Sequence, residues 1–187
     1  MKRKILLLSV LAICVAILAA GSLAYFTAED TAHNVITTGS VDITLLEWAD
    51  EEKQTPFEDL GGIMPGMSIT KIAEVKNTGA SDAWIRVRID KTITLTRAGT
   101  ADAALVELDL NLDDWTQGED GYLYYKEAVK PGETTAPIFT TVTFNRTMGN
   151  EYQNATAKVD IYAQGVQTAN NGETVEEAQG WPAEEQE

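Results

Sequence analysis

Apolar and polar side chains alternate along most of the chain beyond residue 40. Val41, Ile43 and Leu45 alternate with Asp42 and Thr44. Ala83, Ile85, Val87 and Ile89 alternate with Trp84, Arg86, Arg88 and Asp90, and the odd positions continue through Ile93 and Leu95. Val106, Leu108, Leu110 and Leu112 are separated by Glu107, Asp109 and Asn111. Ile138, Val142 and Phe144 share one parity, with Thr141 and Thr143 on the other. Ala155, Ala157, Val159, Ile161 and Ala163 alternate with Thr156, Lys158, Asp160 and Tyr162. Successive strand residues point to opposite faces, so a period of two predicts strands packed on one side and wet on the other.

Turn chemistry separates these runs. Pro65-Gly66 and Pro131-Gly132 pair a residue with a preset φ and one that tolerates positive φ. Asn77-Thr78-Gly79, Arg97-Ala98-Gly99-Thr100 and Gly118-Glu119-Asp120-Gly121 break the alternation elsewhere. No segment carries an amphipathic helical period, apart from room for one short turn over Ala101–Leu105. Many short strands at regular spacing predict an all-β fold, an antiparallel β-sandwich. Two stretches read as loosely structured. Glu47–Gly62 is acidic and contains Pro56 and paired glycines, which predicts a long loop. Residues 170–187 form an acidic tail expected to be mobile. Trp181 is its anomaly: it either docks on the domain or marks a contact surface.

The amino end follows a different logic. Lys2, Arg3 and Lys4 precede sixteen uncharged residues, Ile5–Ala20, and the small residues Ala19, Ala20, Gly21, Ser22 and Ala24 follow. That is the three-part order of a secretory signal. Ser22 and Ala24 stand three and one positions before a cut that leaves Tyr25 as the new amino terminus. A retained anchor is the competing reading, because Ile5–Ala24 is just long enough to span a bilayer. The fold expected is therefore a β-sandwich after a cleaved N-terminal signal helix.

Composition narrows the function. The chain has 187 residues, 29 acidic and 14 basic, with a net charge of −15. Nucleic-acid binding is not expected, since phosphate contacts need clustered Lys and Arg. Residues 1–24 carry three positive charges and no negative ones, so cleavage leaves 163 residues and a charge of −18. Cys14, the one cysteine, lies inside the signal and is preceded by Ile13 rather than the small residue a lipoprotein signal needs. Without staples, the mature chain must rely on a packed core, which is feasible at this length.

Candidate chemistry is sparse. One histidine, His33, is present and there is no His-Glu-x-x-His pair, so a zinc peptidase lacks its usual ligands. Asp109-Leu110-Asn111-Leu112-Asp113-Asp114 resembles the start of a calcium loop. Asp114 stands where that loop needs glycine, and Asp120 where it needs glutamate. A strand with a polar outer face is the better reading, and no cofactor is expected beyond weak calcium binding by clustered acids. Trp84, Trp115, Tyr122, Tyr124 and Tyr125 suggest either a sugar-binding platform or packing at sandwich edges.

Four stretches together resemble the TasA/camelysin family of exported Firmicute proteins. The first is the signal junction Ala19–Thr27 with His33–Val41. The second runs from Met64-Pro65-Gly66 through Val75–Gly79 to Trp84–Arg88. Asp120–Lys126 with Lys130–Thr134 is the third, and Ala163–Asn170 the fourth. The resemblance implies a jelly-roll sandwich over residues 39–169, processed by a SipW-type signal peptidase and released to the matrix or surface of a Gram-positive bacterium. It also implies fibres, in which the mature amino-terminal segment, residues 25–38, completes the sheet of the next copy. The strand formers of that segment are Tyr25, Phe26, Thr27, Val35 and Ile36. The partners implied are further copies of the chain and other matrix proteins, with membrane contact only through the uncleaved signal. An ordinary first strand folding back on its own domain is the alternative for that segment. A monomeric surface module binding polysaccharide or protein is the alternative for the whole chain, and a camelysin-like metalloprotease is third. On its residues, the chain is read as a structural protein and not an enzyme.

Overall fold

The computed structural model describes residues 35–37, 41–58 and 64–183. The chain divides into two units, Met1–Ala32 and His33–Glu187, and every described residue belongs to the second. The signal, its cut site at Ser22, Ala24 and Tyr25, the segment Tyr25–Thr27 and His33 lie outside the described residues.

The described strands are β1 (Val35–Thr37), β2 (Ile43–Trp48), β3 (Ser68–Asn77), β4 (Ala83–Thr94), β5 (Val106–Leu108), β6 (Trp115–Gln117), β7 (Leu123–Tyr125), β8 (Phe139–Phe144) and β9 (Thr156–Gln167). Single 3-10 turns occur at Ala103–Leu105, Asn150–Tyr152 and Val175–Glu177. One sheet has the order β1-β9-β4-β7-β6 and the other β2-β3-β8-β5. The fold is thus all-β, with the short turn over Ala103–Leu105 inside the stretch left open for it.

The two sheets share one core, as a sandwich does. The smaller sheet contributes Ile43, Leu45, Ala73, Val75, Phe139, Val142 and Phe144, and the larger Ile85, Val87, Trp115, Leu123, Ile161 and Ala163. Of these, Ile43, Leu45, Ile85, Val87, Val142, Phe144, Ile161 and Ala163 are positions whose parity predicted burial. Burying each large apolar side chain stabilises by about 1.5–3 kcal/mol. The turn glycines behave as their sequence context requires: Gly66 has φ +78 and Gly132 φ +82.

Four expectations need correction. Not every pairing is antiparallel: β1 runs parallel to β9, with Val35 opposite Ala163 and Thr37 opposite Gly165. Its direction follows from where the chain goes next. Gly165 lies against Val41 and Ile43, so β1 must end beside the start of β2. The strand expected over Val106–Leu112 stops at Leu108. Asp109 is the reason: its carboxylate accepts the backbone N–H groups of Thr140 at 2.9 Å and Thr141 at 2.7 Å, donors that a continuing strand would have used. Leu112 is left exposed. The loop expected from Glu47 begins only after Trp48, and Trp48 pairs back to Pro56 across it. Finally, residues 170–183 are not a loose tail. Val175, Ala178 and Pro182 are buried, and Val175 and Ala178 pack with Trp84 and Val166 in a second apolar cluster.

Asn77 closes the end of β3 and is wholly buried. Its Nδ2 donates to the carbonyls of Ser81 and Val129, both at 2.8 Å, and its Oδ1 accepts from Gly79 N at 2.9 Å. The turn read from Asn77-Thr78-Gly79 is therefore an amide tying three segments together. A buried amide keeps its place when each polar atom has a partner.

Candidate functional site

β9 is the longest line of pairing in the fold. All twelve of its residues, Thr156–Gln167, pair with β4 in register from Thr94 to Ala83. On the opposite side β1 covers Ala163–Gly165. Among the described residues nothing pairs with the seven-residue edge Thr156–Tyr162 on that side. The chain enters this edge from Asn154, whose φ of +62 turns it out of the sheet line. An unpaired edge presents a row of backbone donors and acceptors and is a template for another strand.

The side chains along the edge alternate as the sequence predicted. Ala157, Val159 and Ile161 belong to the core. The outer face carries Thr156, Lys158, Asp160 and Tyr162. Lys158 Nζ is 3.9 Å from Asp160 Oδ1, with the two side chains 55% and 41% exposed. Across the sheet Asp160 stands directly opposite Asp90. Directly opposed like charges are unfavourable, and Asp90 draws instead on Arg88 at 3.2 Å.

The other end of the same face is closed. Arg86 sits at its centre, with its guanidinium 3.9 Å from the Tyr122 ring centroid, 4.6 Å from Trp181 and 5.8 Å from Tyr124. Its Nε donates to Gln164 Oε1 at 2.9 Å, and its Nη1 donates to the Tyr124 hydroxyl at 3.0 Å. Gln164 Nε2 in turn donates to the Pro182 carbonyl at 3.2 Å, so both ends of this buried amide are satisfied. Trp84 Nε1 donates to Asn171 O, and the Asn171 side chain bonds Gln179 in both directions. Residues 171–182 therefore form a strap held by apolar packing, cation–π contact and complementary amides. Tyr124 donates to Asp120 Oδ2 at 2.7 Å. Burial works to raise the Asp120 carboxyl, but the Tyr124 hydroxyl, the Tyr122 N–H and the Arg86 charge outweigh it and hold it below its ordinary range. Burial, reinforced by the bond to Asp120, pushes the Tyr124 hydroxyl up.

This geometry separates the expected aromatic platform. Trp115 is in the inner core, 5.0 Å from the Tyr125 ring. Trp84 lies under the strap, Tyr122 lies under Arg86, and Tyr124 stands edge-on to Trp181 at 6.0 Å. Trp181 resolves as a docking residue. Asp109 bonds Thr140 and Asp114 accepts from Asn111, and among the described residues no group of three or more His, Cys, Asp or Glu is placed to hold a metal. Of the proposed donor residues, Val35 and Ile36 are brought to β9 opposite Ala163 and Gln164. Sequence reasoning missed the Arg86–Gln164–Trp181 strap and the Lys158/Asp160 edge. The charges of Lys158 and Asp160 were legible on the wet face of a predicted strand, but the flank beside them was not.

Comparison with protein-family models, curated proteins and solved structures yields no match to this chain. No helix among the described residues is long and apolar enough to cross a membrane.

Proposed function

We propose that the chain is a secreted structural subunit of a matrix or cell-surface fibre, joined by donation of the amino-terminal segment of one copy to the next. One observation carries this reading: among the described residues nothing pairs with the seven-residue edge Thr156–Tyr162 of β9, directly in line with the three residues that β1 covers. A segment donated by another copy would extend the line of β1 along Thr156–Tyr162. Added strands gain main-chain hydrogen bonds from the edge, and alternate side chains supply specificity. The finer jelly-roll reading of the sandwich belongs to this proposal. The long-range pairings β4–β9 and β3–β8 support it, while the parallel β1 departs from it. Export through a SipW-type signal, assembly with other matrix proteins and a non-enzymatic role rest on the resemblance to TasA/camelysin proteins and on the residues behind it.

Electron microscopy tests the proposal on Tyr25–Glu187 beside Gly39–Glu187, at raised protein and salt. Salt matters because copies of charge −18 repel one another, and screening shortens that repulsion to about 8 Å at physiological ionic strength. Fibres are expected from the longer chain alone. Equal fibres from both chains would remove the amino-terminal segment from assembly. Two folded monomers without fibres would turn the reading toward a surface binding module.

A further inference from the structure

The strap turns on one dipeptide, Asn171-Gly172. The Asn171 side chain closes it: Nδ2 donates to the carbonyls of Gln167 and Gln179, both at 3.0 Å, and Oδ1 accepts from Gln179 N at 2.8 Å. Doing both takes a side-chain amide, which carries donors and an acceptor at one tip. Gly172 follows at φ +82, a conformation that strains any residue with a side chain. A Cβ there would also come within 2.8 Å of Glu177 Cβ and 3.1 Å of the Thr174 carbonyl oxygen. The geometry of the strap therefore demands an asparagine followed by a glycine. No other asparagine in the chain precedes a glycine.

An asparagine before glycine is chemically exposed, because no side chain shields the next backbone nitrogen. Gly172 is open to solvent, and among the described residues its N–H has no acceptor. That nitrogen is placed to attack Asn171 Cγ. The new N–C bond closes a cyclic imide as the Cγ–Nδ2 bond breaks, and the proton given up by Gly172 N leaves with Nδ2 as ammonia. Water then opens either carbonyl of the imide, giving aspartate or isoaspartate. The steps need only water. While the strap is docked, the three bonds on the Asn171 amide oppose the rotation that brings Cγ onto Gly172 N. Attack therefore waits on local opening of the strap. Asp120-Gly121 is the matching acid pair on the same face and is better guarded. Gly121 N donates to Gly118 O at 3.3 Å, and the Asp120 carboxylate accepts from Tyr122 N and the Tyr124 hydroxyl.

We propose that Asn171 is a self-modifying site whose conversion to aspartate or isoaspartate releases the strap permanently. A carboxylate only accepts hydrogen bonds, so in place of the Nδ2 donor it sets an oxygen against the carbonyl oxygens of Gln167 and Gln179. It also adds negative charge to a segment that already carries Glu173, Glu176 and Glu177. In isoaspartate the main chain runs through the former side chain, which moves the carbonyl that accepts from Trp84 Nε1. Each route removes anchors of the strap, and the loss of ammonia makes the change one-way. Transient opening is thereby converted into lasting exposure of Trp84 and Val166, which the strap otherwise buries. The site does not depend on the fibre reading.

Peptide mapping of the folded chain, aged at mildly alkaline pH, tests it. Conversion is expected at Asn171 ahead of every other asparagine, with Asp120 unchanged. In Trp181→Ala the strap opens more often, and the rate at Asn171 is expected to rise about 2- to 30-fold, the opening factor for a lost cation–π contact. Asn171→Asp carries a converted group from the start. With circular dichroism showing that this variant is folded, protease is expected to cut its strap faster than that of the unmodified chain and to spare the sandwich. The aged fraction, separated by its added negative charge, is expected to be cut in the same way. An Asn171 amide that outlasts that of the exposed Asn154 would overturn the proposal. So would an Asn171→Asp strap as resistant as the original. A Trp181→Ala strap that is cut faster while the Asn171 amide is lost no faster would overturn it too. Fibre formation enters none of these measurements, so the two readings stand or fall separately.

Discussion

The two halves of β9 share a partner, a period and a sheet, and yet they differ in almost every other respect. From Ala163 to Val166 the strand is sealed: β1 runs along the edge at Ala163–Gly165 and the strap crosses its outer face. From Thr156 to Tyr162 the edge has no partner among the described residues, and the outer face carries exposed charge. Both halves turn their odd-numbered residues to the same core, where Ile161 and Ala163 are buried and Ala157 and Val159 partly so. What separates them is the second layer on the outside. A half-buried strand becomes fully buried only where another segment brings apolar surface to its wet face. Here that segment is residues 171–182, recruited by Trp84 and Val166 at even positions where polar residues were expected.

Removing the sealing layer at its root breaks the comparison most. Trp84 is 7% exposed, packs with Val166, Val175 and Ala178, and donates to Asn171 O at 3.1 Å. Truncating a buried tryptophan costs about 3–5 kcal/mol. For a domain of this size, about 2–4 °C is lost per kcal/mol. Calorimetry of Trp84→Ala is therefore expected to show a melting temperature lower by roughly 10 °C. A loss below about 1 kcal/mol would mean that the strap is not a packing layer and that the two halves are alike.

Trp181→Ala probes the same layer from the other side, with a smaller effect. Its indole is half-buried against Arg86 and Tyr124. A cation–π contact of this kind contributes about 0.5–2 kcal/mol, and Arg86 keeps Tyr122, Tyr124 and Gln164 when Trp181 is gone. Global stability is expected to fall by about 1–2 kcal/mol. Local opening should change more than that, because strap residues gain access to solvent without the sandwich unfolding. Limited proteolysis reads this directly: cleavage near Asn171–Gly180 should accelerate, with the remaining domain resistant. Unchanged cleavage would show that Trp84 and Asn171 hold the strap without Trp181.

How much of this was legible beforehand follows from which forces are local. The period of two placed Ile85, Val87, Ile161 and Ala163 in the core, because alternation is a property of the strand itself. Positive φ at Gly66 and Gly132 was legible for the same reason, since proline followed by glycine specifies its own turn. The strap was not, because the closing run Glu184-Glu185-Gln186-Glu187 made the tail read as mobile. Its anchors, Val175, Ala178 and Trp181, matter only once β4 and β9 bring Trp84, Arg86 and Gln164 onto one face. The early end of β5 was hidden too. It depends on Asp109 reaching the backbone of β8, far along the chain. The open edge was invisible for a third reason: no residue of Thr156–Tyr162 records which of its two flanks lacks a neighbour.

The smallest expected effect sharpens the comparison most. Lys158→Glu removes a 3.9 Å ion pair between side chains that are more than a third exposed. Such pairs contribute about 0–1 kcal/mol. The new glutamate joins Asp160 and Asp90 on one face and adds repulsion that salt screens. Urea unfolding at a concentration where the chain is monomeric should therefore change by no more than about 0.5 kcal/mol, the range of ordinary surface substitutions. The difference should shrink further as salt is raised. A loss above about 1 kcal/mol at that dilution would mean that Lys158 serves its own fold, and the open half would have to be counted as sealed. A near-zero change, set beside the roughly 3–5 kcal/mol expected for Trp84→Ala on the neighbouring strand, would show that the charged half of the outer face contributes little to the fold.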